Sequence, residues 1–200
     1  MQNIENFIKS YWEYFIELES QLIETRRFLA FDDTNAKAFS IEYLKLYQAV
    51  CSEIDVVGKE IACISNPDFK VDNRTNIQKW GFEIQKKFPN LKDSFVTFND
   101  ETKVQPFKNW EYEKYTDRKG NIRLRIVGGK KAISWWSDYN KVKHQRIGLV
   151  TGTQNFNLAN QKNLILAYSA LYLLEITYLK SIENFENLKI TNSKLFKITC

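Results

Sequence analysis

LILAYSALYLL, residues 164–174, is the longest run of mostly apolar residues in the chain. It lies inside LANQKNLILAYSALYLLEITYLKSIENF, residues 158–185, which is apolar nearly all round between Leu164 and Leu179. The run is shorter than the ~20 residues that a membrane span needs, and Glu175 follows it directly. We therefore expect a buried helix at the centre of a helical bundle, with Asn157 as its N-cap.

Four further helices are predicted because apolar residues recur with the helical period outside this run. They cover approximately residues 4–28, 41–64, 75–88 and 132–146. Ser40 precedes the second of these helices and suits an N-cap, and Pro89 ends the third. The first two are long, amphipathic and joined by a short connection, so they are expected to pack as an antiparallel pair.

From residue 94 the apolar period changes to two, which is typical of β-strands. SFVTF, TKVQPF, NWEYEKY and IRLRIV lie between residues 94 and 127, and Gly120 suits a hairpin turn. The C-terminal LKITNSKLFKITC alternates weakly, so it either adds a strand to this insert or lies over the surface. The expected fold class is mainly α: one antiparallel helical-bundle domain over residues 1–200, with a small β-hairpin or meander inserted at about 94–127.

Charge and cysteine content limit the classes of function. Lys and Arg total 29 against 24 acidic residues, and the formal charge of +5 tolerates a polyanionic partner without requiring one. Three scattered cysteines and one histidine argue against a zinc site, so neither a metal nor a cofactor is expected. The reduced cysteines, the lack of a signal peptide and the lack of a membrane span predict a cytoplasmic protein.

The candidate site is a polar cluster on the helix that begins near residue 132. His144, the sole histidine, lies one helical turn after Asn140, with Lys143 and Arg146 nearby. A histidine exchanges protons near neutral pH, an amide orients a phosphate or sugar, and cations stabilise the charge of a phosphorane. These are the parts of a metal-independent ribonuclease. The alternative is a packed or solvated histidine, which is the more common role of a lone helical histidine.

Two adjacent tryptophans, Trp135 and Trp136, begin the same helix. Their rings are able to stack on nucleobases. Paired tryptophans at the start of a helix more often anchor that helix to a core. We therefore expect the anchoring role to predominate.

WWSDYNKVKHQR, residues 135–146, resembles the signature region of the HEPN superfamily, all-helical domains found in prokaryotic defence and toxin–antitoxin systems. The family motif is Arg, a polar residue that is often Asn, three variable residues and His. Asn140 and His144 match it, whereas Tyr139 stands where the Arg would be. YLKLYQAVCSEIDVVGKEI, residues 43–61, is similar to the first-half helices of HEPN-like proteins.

The resemblance implies a homodimer in which two motifs form one composite cleft that cuts RNA without metal. His144 would act as general acid or base on the ribose 2′-hydroxyl, and Asn140 would orient it or bind phosphate. Tyr139, Lys143 and Arg146 would contact the RNA. Glu53 is a candidate carboxylate behind His144, because family bundles often place acids opposite the motif.

Three functions therefore stay open. The first is an HEPN-like endoribonuclease of a phage-defence or toxin–antitoxin system, with a possible antitoxin or defence partner protein. The second is a non-catalytic HEPN-like module that binds RNA, a nucleotide or a protein, because Tyr139 replaces the Arg. The third is a structural helical protein. On the second predicted helix, Asp55 and Lys59 are interpreted as a surface ion pair.

Overall fold

The computed structural model describes residues 4–99, 102–129, 132–150, 152–182 and 190–199. The fold is mainly α, as predicted. The helices are α1 (Ile4–Phe7), α2 (Glu13–Thr25), α3 (Ile41–Ser65), α4 (Ile77–Lys87), α5 (Ser134–His144) and α6 (Gln161–Lys180). A π-helical turn, Ile8–Trp12, joins α1 to α2. In the described part of the chain, no helix is long and apolar enough to cross a membrane.

Helix α6 forms the centre of the core and packs most extensively against α3. The helix is buried, as predicted: Leu171 and Leu174 are fully buried, while Leu166 is only partly buried against the core. Asn160, not the predicted Asn157, caps the helix by accepting a hydrogen bond from Asn163 N at 3.0 Å. Residue 157 instead lies in a short 3-10 turn that precedes the helix.

The N-terminal half follows the predicted helical pattern. Ser40 caps α3, accepting a hydrogen bond from Tyr43 N at 3.0 Å, as expected. The first helical segment ends at Thr25 rather than near residue 28. Glu19 is buried on α2, where its carboxylate accepts hydrogen bonds from Lys194 N at 3.0 Å and Leu195 N at 2.9 Å. This carboxylate fixes the C-terminal tail against the first half of the bundle.

The β-rich insert forms parts of two sheets rather than one meander. Strands β1 (Phe95–Phe98) and β2 (Thr102–Val104) join the C-terminal strand β7 (Phe196–Thr199) in the order β2-β1-β7, with antiparallel pairing. The tail therefore adds a strand, one of the two alternatives that its alternation left open.

Strands β3 (Tyr112–Thr116) and β4 (Ile122–Ile126) form a separate antiparallel ribbon. The ribbon packs on α4, where Tyr112 Oη donates a hydrogen bond to Ile77 O at 2.6 Å. A third, very short hairpin, β5 (Leu149–Val150) with β6 (Thr153–Gln154), follows α5. In the sequence, the ribbon precedes α5 and this hairpin follows it.

Candidate functional site

An open groove of about 1030 Å³ runs along α5. Its other walls come from the β3–β4 ribbon, the first residues of α4 and one face of α3. Asn140, Lys143 and His144 all line it. The helical spacing that predicted a shared face for Asn140 and His144 thus brings both into one cavity.

The opposite face of α5 is anchored in the core, which fixes the orientation of the groove-facing side chains. Trp135 is 2% exposed and its Nε1 donates a hydrogen bond to Pro106 O at 2.8 Å. Tyr47 Oη, from α3, donates to the Trp135 carbonyl. Asp138 accepts a hydrogen bond from Asn163 Nδ2, at the start of α6, at 3.1 Å. Trp135 therefore anchors the helix, as expected.

The three predicted site residues have different environments within the groove. Asn140 is half-buried, and its Nδ2 donates to Trp136 O at 3.0 Å. Among the described residues, nothing donates a hydrogen bond to Asn140 Oδ1, so that oxygen is an available acceptor. His144 is the last residue of α5 and is exposed. Its imidazole makes no hydrogen bond or ion pair within the described part of the chain.

Tyr139 also lines the groove, but it is only 5% exposed. Its ring packs edge-on against Tyr47, with centroids 6.0 Å apart, and lies 5.2 Å from the ring of Trp136. Burial raises the pKa of Tyr139 to about 12, so its hydroxyl is neutral at physiological pH. Instead of offering a face to RNA, the ring supports Lys143, whose Nζ lies 5.6 Å from its centroid.

Arg146 does not line the groove. It follows the end of α5 and is exposed, and its Nη2 donates a weak hydrogen bond to Gln48 Oε1, on α3, at 3.4 Å. The guanidinium therefore lies to one side of the polar cluster with which the sequence grouped it.

The carboxylate that reaches the groove from α3 is Asp55, not Glu53. Asp55 accepts a hydrogen bond from Trp80 Nε1 at 2.9 Å and pairs with Lys59 at 2.5 Å. Glu53 faces Glu175 on α6. Burial first, and the nearby carboxyl of Glu53 second, raise the pKa of Glu175 well above its usual range. Glu53, the carboxylate predicted behind His144, does not line the groove.

The ribbon contributes two groove residues that sequence reasoning missed. Arg125, on β4, and Glu113, on β3, are register partners and form an ion pair at 2.5 Å. Both line the groove. Alternation along the two predicted strands shows that these side chains share a face, but the sequence carries no signal for which helix that face meets.

Asn155 was also missed, and it holds the chain just after His144. It is 4% exposed; its Nδ2 donates to Gln145 O at 2.7 Å, and its backbone N donates to Gly148 O at 2.7 Å. Its Oδ1 is buried and has no hydrogen-bond partner among the described atoms. A side chain at residue 148 would bring Cβ to 2.8 Å from Asn155 Nδ2, so it would displace the Asn155 side chain.

The electrostatic character of the groove depends on which charges are already paired. Arg125 is paired with Glu113, Lys141 with Asp138 at 2.7 Å, and Asp55 with Lys59. Lys143 has no carboxylate partner within the described residues, so its charge is available to an anion. The same part of the chain contains no group of three His, Cys, Asp or Glu side chains that could hold a metal ion.

Among the residues that the structure describes, the groove therefore combines an ammonium without a carboxylate partner, an imidazole without a hydrogen bond and an amide acceptor on a single helix face. This set suits a phosphate-bearing ligand, because a cation neutralises the phosphate while neutral polar groups orient it. Comparison with protein-family models, with curated proteins and with solved structures finds no match to this chain.

Proposed function

We propose that the groove along α5 binds RNA or a nucleotide through its phosphate, and that the chain is an RNA-directed module of the HEPN type. The observation that carries the proposal is the position of Lys143 and His144 in one groove with Asn140. The ammonium of Lys143 lies over the ring of Tyr139, which holds it in place without neutralising it. A charge held this way is suited to a phosphate oxygen, with which it forms a charge-assisted hydrogen bond.

Metal-independent endoribonuclease activity is the second candidate, and the free imidazole of His144 favours it. In this reaction a base removes the proton of the ribose 2′-hydroxyl, whose oxygen attacks the adjacent phosphorus. The bond from phosphorus to the 5′-oxygen breaks, and a proton passes to that leaving oxygen. The products are a 2′,3′-cyclic phosphate and a 5′-hydroxyl. His144 is suited to either proton transfer, because a neutral imidazole nitrogen accepts a proton and the protonated ring donates one.

The buried position of Tyr139 is the reason for ranking binding above cleavage. A guanidinium at that place in the motif would supply a bidentate fork for phosphate, which a buried neutral phenol does not. Arg125 brings a guanidinium into the same groove from the ribbon, although it is paired with Glu113. An exchange of the Glu113 carboxylate for a substrate phosphate would make this guanidinium available in the groove.

We extend the proposal to a homodimer with a defence or toxin–antitoxin role, as the HEPN resemblance implies. Two large apolar side chains next to the end of α5, Ile147 and Leu149, are 82% and 70% exposed, which supports a contact surface there. Sedimentation should show dimerisation in the wild type and its loss in Ile147→Asp. A wild-type monomer at all concentrations would refute the dimer.

Binding is tested by the fluorescence anisotropy of a labelled single-stranded RNA. Lys143→Ala should weaken binding about tenfold, because a hydrogen bond to a charged group contributes ~1.5–3 kcal/mol. The slope of log affinity against log salt concentration should also become shallower, by the amount that about one phosphate contact contributes. Lys162→Ala is the matched control, because it removes the same charge from an exposed position outside the groove. Equal effects of the two substitutions would show that the groove is not the binding site.

Cleavage is tested separately with unlabelled RNA in EDTA. If the chain is a nuclease, the wild type produces 2′,3′-cyclic ends, and His144→Ala abolishes them while keeping the fold. RNA binding without any such product would leave binding as the function and refute the nuclease candidate.

A further inference from the structure

We propose that Trp136 is a stacking platform for an unpaired nucleobase, so that the groove selects single-stranded RNA or a free nucleotide over a duplex. This inference rests on the proposed function and specifies its substrate class. The shared ligand chemistry is one nucleotide unit with an accessible base face and a phosphate.

The two adjacent tryptophans at the start of α5 differ in exposure. Trp135 is buried and hydrogen-bonded to a backbone carbonyl, so it has a structural role. Trp136 is only partly buried and lines the groove. The part of its indole that stays in contact with water is apolar, and a nucleobase is a flat partner that would cover it.

The ring of Trp136 is held rigidly by its aromatic neighbours. It meets the ring of Trp80 at 90° with centroids 6.4 Å apart, and that of Trp135 at 89° with centroids 5.8 Å apart. Tyr139 packs at 50° on a further side. A ring fixed by three aromatic neighbours loses little conformational entropy when a base stacks on it, which favours binding.

An aromatic ring, an amide and an ammonium follow one another along α5. Trp136, Asn140 and Lys143 have i, i+4, i+7 spacing, so they form one stripe on the groove side of the helix. Lys143 lies about 10.5 Å beyond Trp136 along the axis, at 1.5 Å per residue. A nucleotide chain that follows this stripe meets an aromatic ring, then the free amide oxygen of Asn140, then an ammonium.

These three groups match the parts of a nucleotide. The ring stacks on the base, the amide oxygen accepts a hydrogen bond from a base N–H or a ribose hydroxyl, and the ammonium binds phosphate. The bases of a duplex are stacked on each other, so their faces are not available to Trp136. Selection for an unpaired base follows directly.

The experiment compares four probes on the wild type: a single-stranded RNA, the same strand in a duplex, an abasic strand with the same number of phosphates, and the free mononucleotide. The single strand should bind about tenfold more tightly than the abasic strand, since stacking contributes ~1–3 kcal/mol per base. It should also bind more tightly than the duplex. Competition by the mononucleotide at a similar concentration would identify a free nucleotide as the ligand, and much weaker competition would identify an RNA chain.

Two substitutions separate stacking from phosphate binding. Trp136→Ala should weaken binding of the single strand about tenfold and leave binding of the abasic strand unchanged. Lys143→Ala should weaken binding of both strands by the same factor. Trp136→Phe keeps an aromatic ring and should retain most of the affinity, which controls for a loss of folding in the alanine variant. Equal wild-type affinity for the single strand and the abasic strand, or for the single strand and the duplex, would overturn the stacking proposal while phosphate binding stands. Failure of every probe to bind would overturn both proposals.

Discussion

Leu171→Ala tests the central position of α6 in the core. The side chain of Leu171 is fully buried. Its replacement by Ala removes three carbon groups at about 0.8 kcal/mol each, and the remaining cavity adds to that loss. The expected decrease in the free energy of unfolding is therefore about 3 kcal/mol. For a chain of this size it corresponds to a decrease in Tm of roughly 6–12 °C.

The measurement is urea denaturation followed by tryptophan fluorescence. Ile41→Ala is the matched control, because it removes the same number of carbon groups at a residue that is 72% exposed and lies outside the proposed dimer surface. The control should change the free energy of unfolding by less than about 0.5 kcal/mol. A loss below about 1 kcal/mol for Leu171→Ala, or equal losses for the two variants, would refute a core centred on α6.

Three further predictions concern stability. Burial raises the pKa of Glu175, so ionised Glu175 destabilises the folded state increasingly as pH rises above the unfolded-state pKa of about 4.3. Glu175→Gln should therefore stabilise the protein at pH 8 and have little effect at pH 4. Denaturation curves that show equal effects at both pH values would contradict this. Gly81→Ala should destabilise the fold by about 1–3 kcal/mol, because its Cβ would lie 2.1 Å from Tyr112 Oη; an unchanged Tm would show that the ribbon moves away easily. Asn155→Ala removes the donor to Gln145 O and should speed hydrogen exchange at the end of α5; unchanged exchange there would refute its anchoring role.

Local patterns predicted most of the fold. Apolar periodicity located α3, α5 and α6, and Ser40 was predicted as a cap because its hydroxyl is within reach of nearby backbone N–H groups. The N-cap of α6 was misassigned by three residues. Asn157 and Asn160 are chemically identical candidates, and only the 3-10 turn before Asn160 decides between them.

The parts of the site that were missed depend on tertiary packing. Glu53 and Asp55 are two residues apart, so they point to different sides of α3, and the sequence does not show which side faces α5. Arg125 reaches the groove only because the ribbon packs on α4. The face shared by Asn140 and His144, by contrast, was predictable, because it needs only the geometry of one helix.

The most direct test of the central claim is the NMR spectrum of the His144 imidazole during titration with single-stranded RNA. The chain has one histidine, so the tag-free protein gives one set of imidazole resonances, which needs no assignment. We expect these resonances to shift in the wild type with the same midpoint as the anisotropy titration, and the midpoint to move to higher RNA concentration in Lys143→Ala. RNA that binds with the imidazole resonances unchanged would refute binding in the groove, because the ligand would then lie elsewhere.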